Sequence, residues 1–431
     1  MVAARQSRPA VAASSFACCR QMRVGEAVGL PGIDGQSGSM MAQSELRILA
    51  LVTDAFGGNG GIAQYNRDFL SALARCDRVG SVIVLPRFSA RSVGTLPTAV
   101  QQLCPVEGRL AYSLTALWTA ITYQPIDLVF CGHLFIAPLA AVIARVLNVP
   151  LWVQVHGIEA WRELSALQRQ SVESATIITS VSRYTRRRLL QCIGTDPARV
   201  KVLPNTVGPQ YRPGPKPGYL IDRHAAGGKK VLMTVSRLSS LERYKGHDRV
   251  IRTLSRILSR HPDTIYLVVG DGDDRPRLES LAVECGVAEH VQFTGLVPQE
   301  ELPDYCRLAD VFVMPSAGEG FGIVFLQAMA TGVRVIGGSQ DGSRDPLCDG
   351  ALGTLVDPEN CEELASAILA ALDSPARTGD RTSRFKPDLF AEGLNALYQL
   401  FSSQKGDSRP ALPVAAKRGN GGIGLKPFSF L

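Results

Sequence analysis

The feature that most constrains this chain is a repeated alternation of apolar, strand-length runs with helix-length segments. It runs once from Leu46 to Leu203 and again from Val231 to Val356. The first series places strands at 46–52, 81–85, 127–132, 151–156, 176–181 and 200–203, with helices at 62–74, 112–122, 136–147 and 183–192. The second places strands at 231–235, 265–269, 291–293, 311–314, 333–336 and 354–356, again with helical segments between them. Strands that are apolar along their whole length are covered on both faces, and strands that alternate with helices form a parallel sheet. Two such blocks predict an α/β chain of two doubly wound, Rossmann-like domains, 46–207 and 230–385, joined by a linker dense in proline and glycine at 208–229. Ligands of such folds sit at strand C-terminal ends, so the cleft between the domains is the expected site.

A length of 431 residues accommodates two domains of ordinary size, and 45% hydrophobic with 20% charged residues is a globular composition. The longest apolar stretch, 134–155, is broken by Arg145, Asn148 and Pro150, which argues against a membrane span. The net charge of +7 is concentrated at the ends. Residues 403–431 carry Lys405, Arg409, Lys417, Arg418 and Lys426 against Asp407, and the body between the tails has only a small excess, so no nucleic-acid partner is expected. The ten cysteines show no CxxC pair or Cys/His metal spacing and read as small apolar residues in a reducing, cytoplasmic setting. Residues 1–45 lack a secretory core and read as a disordered leader or a mis-assigned start, with Met40 and Met41 just ahead of the first strand. Residues 403–431 read as a disordered tail.

The most informative stretch is 315–330, Pro-Ser-Ala-Gly-Glu-Gly-Phe-Gly-Ile-Val-Phe-Leu-Gln-Ala-Met-Ala. A strand enters a glycine-bearing turn and then a helix, whose free amides and positive dipole end suit an anion. Glu319 lies in the turn, and Gln327 eight residues later falls roughly on the same side, a spacing suited to a nucleotide sugar. Val-Ser-Arg-Leu at 235–238 ends another strand, and Lys-Gly-His-Asp follows at 245–248. Gly270-Asp271-Gly272 and the run ending in Val297 close two more strands. In the first half, Gly60-Gly61 opens a helix and His156 ends a strand. A helix with Arg183, Arg186, Arg187 and Arg188 is read as a solvated face, with an anionic membrane surface as the alternative.

These residues resemble glycosyltransferase family 4, the large retaining GT-B family also called glycosyl transferases group 1. Its signature is a Glu, Gly-Phe-Gly, and a second Glu eight positions after the first. Glu319, Gly320, Phe321 and Gly322 match; Gln327 replaces the second acid. The resemblance covers about residues 46–401. It implies that Arg237 and Lys245 hold the donor diphosphate, that Glu319 and His156 face the donor sugar, and that Gln327 meets the ribose. It also implies donor contacts at Gly60, Gly61, Gly270, Asp271, Val297, Gly320, Phe321 and Gly322, and a helix at 386–402 crossing back to the first domain. The expected activity is retaining transfer of a hexose from a nucleotide-diphosphate sugar to a glycan or lipid-linked acceptor, in cell-surface polysaccharide or glycolipid synthesis. No metal or cofactor is expected. The expected location is cytoplasmic, with peripheral contact at the inner face of an anionic membrane. Loops such as 89–106 would choose the acceptor.

Other readings exist. Gly58 to Ala63 spells a dinucleotide fingerprint, but Leu-Pro-Arg-Phe at 85–88 lacks the acid that a nicotinamide site needs. Asp271-Gly272-Asp273 spells DxD, a metal motif of another transferase fold, redundant beside two cations. Gln327 leaves open a weakened, nucleotide-sugar-binding paralogue, and the same fold would also serve an epimerase or hydrolase.

Overall fold

The computed structural model describes residues 45–89, 91–374 and 379–402; the leader, its alternative start and the tail discussed above lie outside them. The first sheet has seven parallel strands: β1 (Leu46–Val52), β2 (Val79–Pro86), β3 (Val100–Gln102), β4 (Leu128–Cys131), β5 (Leu151–Val155), β6 (Ile177–Ser180) and β7 (Val200–Val202). Their order is β3-β2-β1-β4-β5-β6-β7. Its helices are α1 (Gly61–Leu73), α2 (Arg109–Thr122), α3 (Ala137–Leu147), α4 (Ala166–Ser174) and α5 (Arg183–Cys192). The segment read as a bare linker contains a short helix, α6 (Gly218–Arg223), anchored by buried Leu220.

The second sheet has six parallel strands: β8 (Lys230–Val235), β9 (Thr264–Val269), β10 (Val291–Gly295), β11 (Val311–Met314), β12 (Arg334–Gly338) and β13 (Thr354–Val356). They run in the order β10-β9-β8-β11-β12-β13, flanked by α7 (His247–Leu258), α8 (Arg275–Glu284), α9 (Leu302–Leu308), α10 (Ile323–Ala330) and α11 (Cys361–Asp373). This is the doubly wound α/β class expected. In both sheets the order reverses beside the first strand of the block, so loops part there and open a crevice at the strand C-terminal ends.

Helix α12 (Pro387–Ser402) leaves the second block and packs on α1. Its Phe390 meets the Tyr65 ring edge-on at 5.9 Å, and Phe390, Leu394 and Tyr398 enter the same apolar cluster as Phe69 and Phe130. That cluster continues through Val207, Tyr211 and Met233 into Phe312 and Phe325, giving the two halves one connected core. Separate clusters fill the outer face of each sheet, under α2 to α5 in the first half and under α7, α8 and α11 in the second. Apolar burial on this scale is the main favourable term holding the halves together.

Candidate active site

Strand β11 ends at Met314, and the chain turns through residues 315–322 before α10 begins. Gly322, at φ 80°, occupies the N-cap, and a Cβ there would lie 2.6 Å from the Phe325 ring. Helix α1 starts the same way, with Gly60 at φ 87° in its N-cap. Neither helix has a side-chain cap or an acid in its first turn. The two N-termini meet, because a Cβ on Gly61 would lie 3.7 Å from the Ile323 side chain. Two free amide ends therefore converge, each carrying a partial positive charge of roughly half a unit.

Beside them lies a chain of four charges. Lys245 donates to Glu319 Oε1 at 2.6 Å and lies 3.7 Å from Glu242, whose other oxygen pairs with Arg237. Burial opposes the Lys245 charge, but Glu319, Tyr244 and Glu242 together outweigh it and hold the ammonium above the ordinary lysine pKa. Lys245 and Glu319 are largely buried, whereas the Arg237 side chain is 78% exposed. The four formal charges sum to zero, so the net positive potential of this corner comes from the helix ends.

The loops carrying these charges are fastened together. Gly246, at φ 80°, approaches Pro315 so closely that a Cβ would lie 2.7 Å from its carbonyl oxygen, and Ala317 donates to the Tyr244 carbonyl at 2.9 Å. His247 shares hydrogen bonds with Ser236 Oγ (2.7 Å) and Tyr266 Oη (3.1 Å), joining the start of α7 to β8 and β9. Burial pushes its pKa down to about 3, so it is a neutral strut. Glu319 donates its amide to Asp341 Oδ2 at 2.6 Å, while Asp341 Oδ1 accepts from the Ser343 amide at 2.9 Å. The Asp341 carboxyl is fully buried, which pushes its pKa up to about 6.

From the first half, His156 follows β5 and is buried against the edge of Tyr65 at 5.1 Å. Burial lowers its pKa to about 4 despite the nearby Glu159 carboxylate. The neutral ring donates from Nε2 to the Gly132 carbonyl at 3.0 Å, which leaves Nδ1 as an acceptor. Glu159 takes the His156 amide at 2.5 Å. The His156 carbonyl abuts Gly320: a Cβ on Gly320 would lie 2.0 Å from that oxygen. His133, at the end of β4, places its ring 6.0 Å from that of His156.

The structure thus brings Gly60, Gly61, His156, Lys245, Glu319, Gly320 and Gly322 to one seam, with Arg237 at its solvent edge. Phe321 is buried against Phe385 at 6.0 Å and packs rather than lining open space. Glu319 precedes α10 whereas Gln327 stands half-buried in its second turn, without a side-chain hydrogen bond among the described residues. Gly270, at φ 134°, presses on the Ser236 carbonyl. Asp271 accepts from the Gly272 amide at 2.9 Å within its own loop, and Asp273 from the Ser240 amide at 3.0 Å, tying that loop to the one after β8. Val297 packs against the shared core. Among the described residues no group of three or more His, Cys, Asp or Glu is placed to hold a metal ion.

Helix α5, read as a solvated face, keeps Arg183 and Arg187 exposed, but three of its arginines are engaged with the fold. Arg183 pairs with Asp345 and Asp349 of the other half, both at 2.9 Å, Arg186 donates to the Val200 and Pro197 carbonyls, and Arg188 to that of Trp161. Glu242, Asp341 and His133 were not singled out in the sequence. Only the strand-end position of His133, in Gly-His-Leu after an apolar run, offered a signal.

Comparison with known proteins agrees with this architecture. Residues 59–211 match the family described as Glycosyltransferase Family 4, and residues 221–386 that described as Glycosyl transferases group 1. The GDP-mannose-dependent alpha-(1-6)-phosphatidylinositol monomannoside mannosyltransferase of Mycobacterium tuberculosis is 30% identical over 352 residues, 76% of this chain and 89% of that one. Its namesake from Mycolicibacterium smegmatis is 36% identical over 234 residues, an alignment spanning 52% of this chain and 60% of the relative. Anabaena HepE in complex with UDP-glucose superposes with a TM-score of 0.66 at 21% identity, covering 83% of this chain and all of that one. Sucrose-phosphate synthase from Thermosynechococcus elongatus gives the same TM-score, identity and coverage. With the paired sheets, the Glu319 turn and these alignments in agreement, the chain belongs to glycosyltransferase family 4, the group 1 glycosyl transferases of GT-B fold.

Proposed function

We propose that this chain is a retaining mannosyltransferase that moves mannose from GDP-mannose to a lipid-linked acceptor. The carrying observation is the Lys245–Glu319 pair at 2.6 Å beside two convergent, uncapped helix N-termini. The choice of donor and acceptor is supported by the two mycobacterial relatives, whose names specify GDP-mannose and phosphatidylinositol monomannoside.

In this reading the donor diphosphate settles on the amides at Gly61 and Ile323 and takes Lys245 from Glu319. Glu319 is thereby released to accept hydrogen bonds from sugar hydroxyls. As the bond from the anomeric carbon to the phosphate oxygen breaks, the charge gathering on the diphosphate is met by Lys245, Arg237 and the helix ends. The acceptor oxygen bonds to the anomeric carbon on the face being vacated, and its proton passes to the departing phosphate oxygen. Configuration is retained without a covalent enzyme intermediate, because the acceptor enters on the face that the phosphate leaves. His156 offers Nδ1 as an acceptor. The chain's own groups orient the sugar and exclude water.

Transfer from GDP-mannose, UDP-glucose and other nucleotide sugars to a lipid-linked acceptor, with product anomers assigned by NMR, tests this reading. An α-mannoside is expected, and Lys245→Ala should lower turnover about 10²-fold or more. A β-product, or unchanged turnover in that variant, would overturn it. Gln327 supports a second reading, a donor-binding paralogue of reduced turnover. A gain of roughly tenfold in Gln327→Glu, the scale of one charge-assisted hydrogen bond, would favour it.

A further inference from the structure

Where the chain crosses between the halves lies a cavity of about 280 Å³ that the proposed transfer does not use. One wall is the end of β7 and the stretch after it, with Lys201, Leu203 and Asn205. The other is Arg384, Phe385 and helix α12. The two crossings are fastened to each other, since the Phe385 carbonyl accepts from Thr206 Oγ1 at 2.7 Å and from the Val207 amide at 3.1 Å. Leu203, Phe385 and Phe390 are buried and form an apolar floor. Lys201, half-buried, and Arg384, exposed, stand at the mouth. Among the described residues neither cation has an ion pair or a side-chain hydrogen bond, and no acid lines the cavity.

Two features here work against stability, and both face the cavity. Asn205 is 7% exposed, and its Oδ1 is buried without a hydrogen-bond partner among the described residues. A buried acceptor left unpaired is destabilising. Gly393 lies in the interior of α12, where glycine is less favourable than alanine. Packing does not demand it: a Cβ there would meet Leu203 Cδ1 at 3.5 Å, an ordinary contact, and its φ lies outside the left-handed region. Its missing side chain instead leaves room beside Leu203. The floor also backs onto the seam. Phe385 meets Phe321, two residues from Glu319, edge-on at 6.0 Å. Phe390 meets Tyr65 at 5.9 Å, and Tyr65 meets His156 at 5.1 Å.

We propose that this cavity is a second ligand site, which takes a small organic phosphate monoester and transmits its occupancy to the seam through these two ring contacts. Each part of such a ligand has its counterpart. The phosphate meets Lys201 and Arg384 at the mouth, a short apolar body covers the floor, and a terminal hydroxyl reaches Asn205, whose amide serves it as donor or acceptor. The volume is close to the lower end of small-molecule sites, about 300–1,000 Å³.

Calorimetric titration of the full chain tests this, with hexyl phosphate, its terminally hydroxylated derivative, inorganic phosphate and hexanol as probes. Both monoesters should bind at least about tenfold more tightly than phosphate or hexanol, because charge pairing and apolar burial then act together. The hydroxylated probe should bind more tightly still, and Asn205→Leu should remove that advantage. K201E/R384E should keep its thermal transition and lose at least about tenfold in affinity. Gly393→Ala should melt higher and bind more weakly, which separates loss of space from loss of fold. Lys245→Ala should bind the probes as the wild type does. Absence of wild-type binding, unchanged affinity in K201E/R384E, or loss of binding in Lys245→Ala, which would put the phosphate in the seam, would each overturn the site. Coupling is read from GDP affinity, which a saturating monoester should change by about fivefold or more, with GDP changing the monoester's affinity by the same factor. Equal affinities would overturn the link to the seam. This last readout alone rests on the donor proposed above: failure of GDP to bind the chain without monoester would count against that donor and leave the cavity site standing.

Discussion

At the residue scale, Asp341 links ionisation to the shape of the site. Its two oxygens accept the Glu319 and Ser343 amides, and burial raises its pKa from 3.8 to about 6. Below that value one oxygen carries a proton and becomes the poorer acceptor, so the turn that aims Glu319 loosens. Turnover should therefore fall as pH drops through about 6, and Asp341→Asn should lack this acid limb while being slower throughout. Stability moves in the opposite sense. Between 3.8 and 6 the folded chain holds a proton that the unfolded chain has released, so this group's contribution to stability declines as pH rises through that window. A pH–rate profile of both proteins measures the limb; the same limb in Asp341→Asn would assign it elsewhere. Glu319 and Lys245 were legible because each sits in a short motif with fixed spacing. Asp341 was not, because its partner Glu319 lies on another loop, and Glu242 was not, because its pairing with Arg237 and Lys245 depends on how its own loop folds; an isolated acid in a loop carries no sign of either.

At the scale of elements, the strands buried on both faces were readable as apolar runs, since a parallel sheet has no solvent face to impose polar residues. The elements missed fail that test. Strand β3 is Val-Gln-Gln, an edge strand of three residues, and α4 has only Ser171 and Val172 buried, so its apolar periodicity is faint. Meeting of the α1 and α10 N-termini was not legible, because it depends on the angle between two sheets rather than on either sequence run. The contact at Gly320 tests its importance. A methyl there would overlap the His156 carbonyl oxygen, with 2.0 Å available, and would lie 3.1 Å from Gly157 Cα. Both neighbours are backbone, so the halves must separate by about 1 Å. Gly320→Ala should retain both folded halves by circular dichroism and lose about 10²-fold in turnover, the scale expected for an ångström of misplacement. Wild-type turnover in this variant would show that the seam is not where transfer occurs.

At the scale of the whole molecule, the seam is held closed by contacts on both flanks. Arg91 pairs with Glu300 at 3.6 Å and Gln299 donates to Gln64 at 3.4 Å. On the other flank Arg183 donates its amide to Asp345 at 2.6 Å and its guanidinium to Asp345 and Asp349, while Thr185 Oγ1 reaches the Gly320 carbonyl at 3.4 Å. Asp345 follows the short turn that begins at Asp341, so this flank bears on the loop that holds Glu319. Exposed ion pairs contribute about 0–1 kcal/mol, too little to fix one state but enough to shift an open–closed equilibrium about fivefold. Such a balance suits a transferase that must close over its donor and reopen to release a nucleotide. Arg183→Ala should therefore lower turnover a few-fold with an almost unchanged melting temperature, because the shared core with α12 remains. Salt provides the control. At about 0.15 M the screening length is about 8 Å, so raising ionic strength should slow the wild type toward the variant while affecting the variant less. Equal salt sensitivity of the two proteins would mean that this flank does not govern closure.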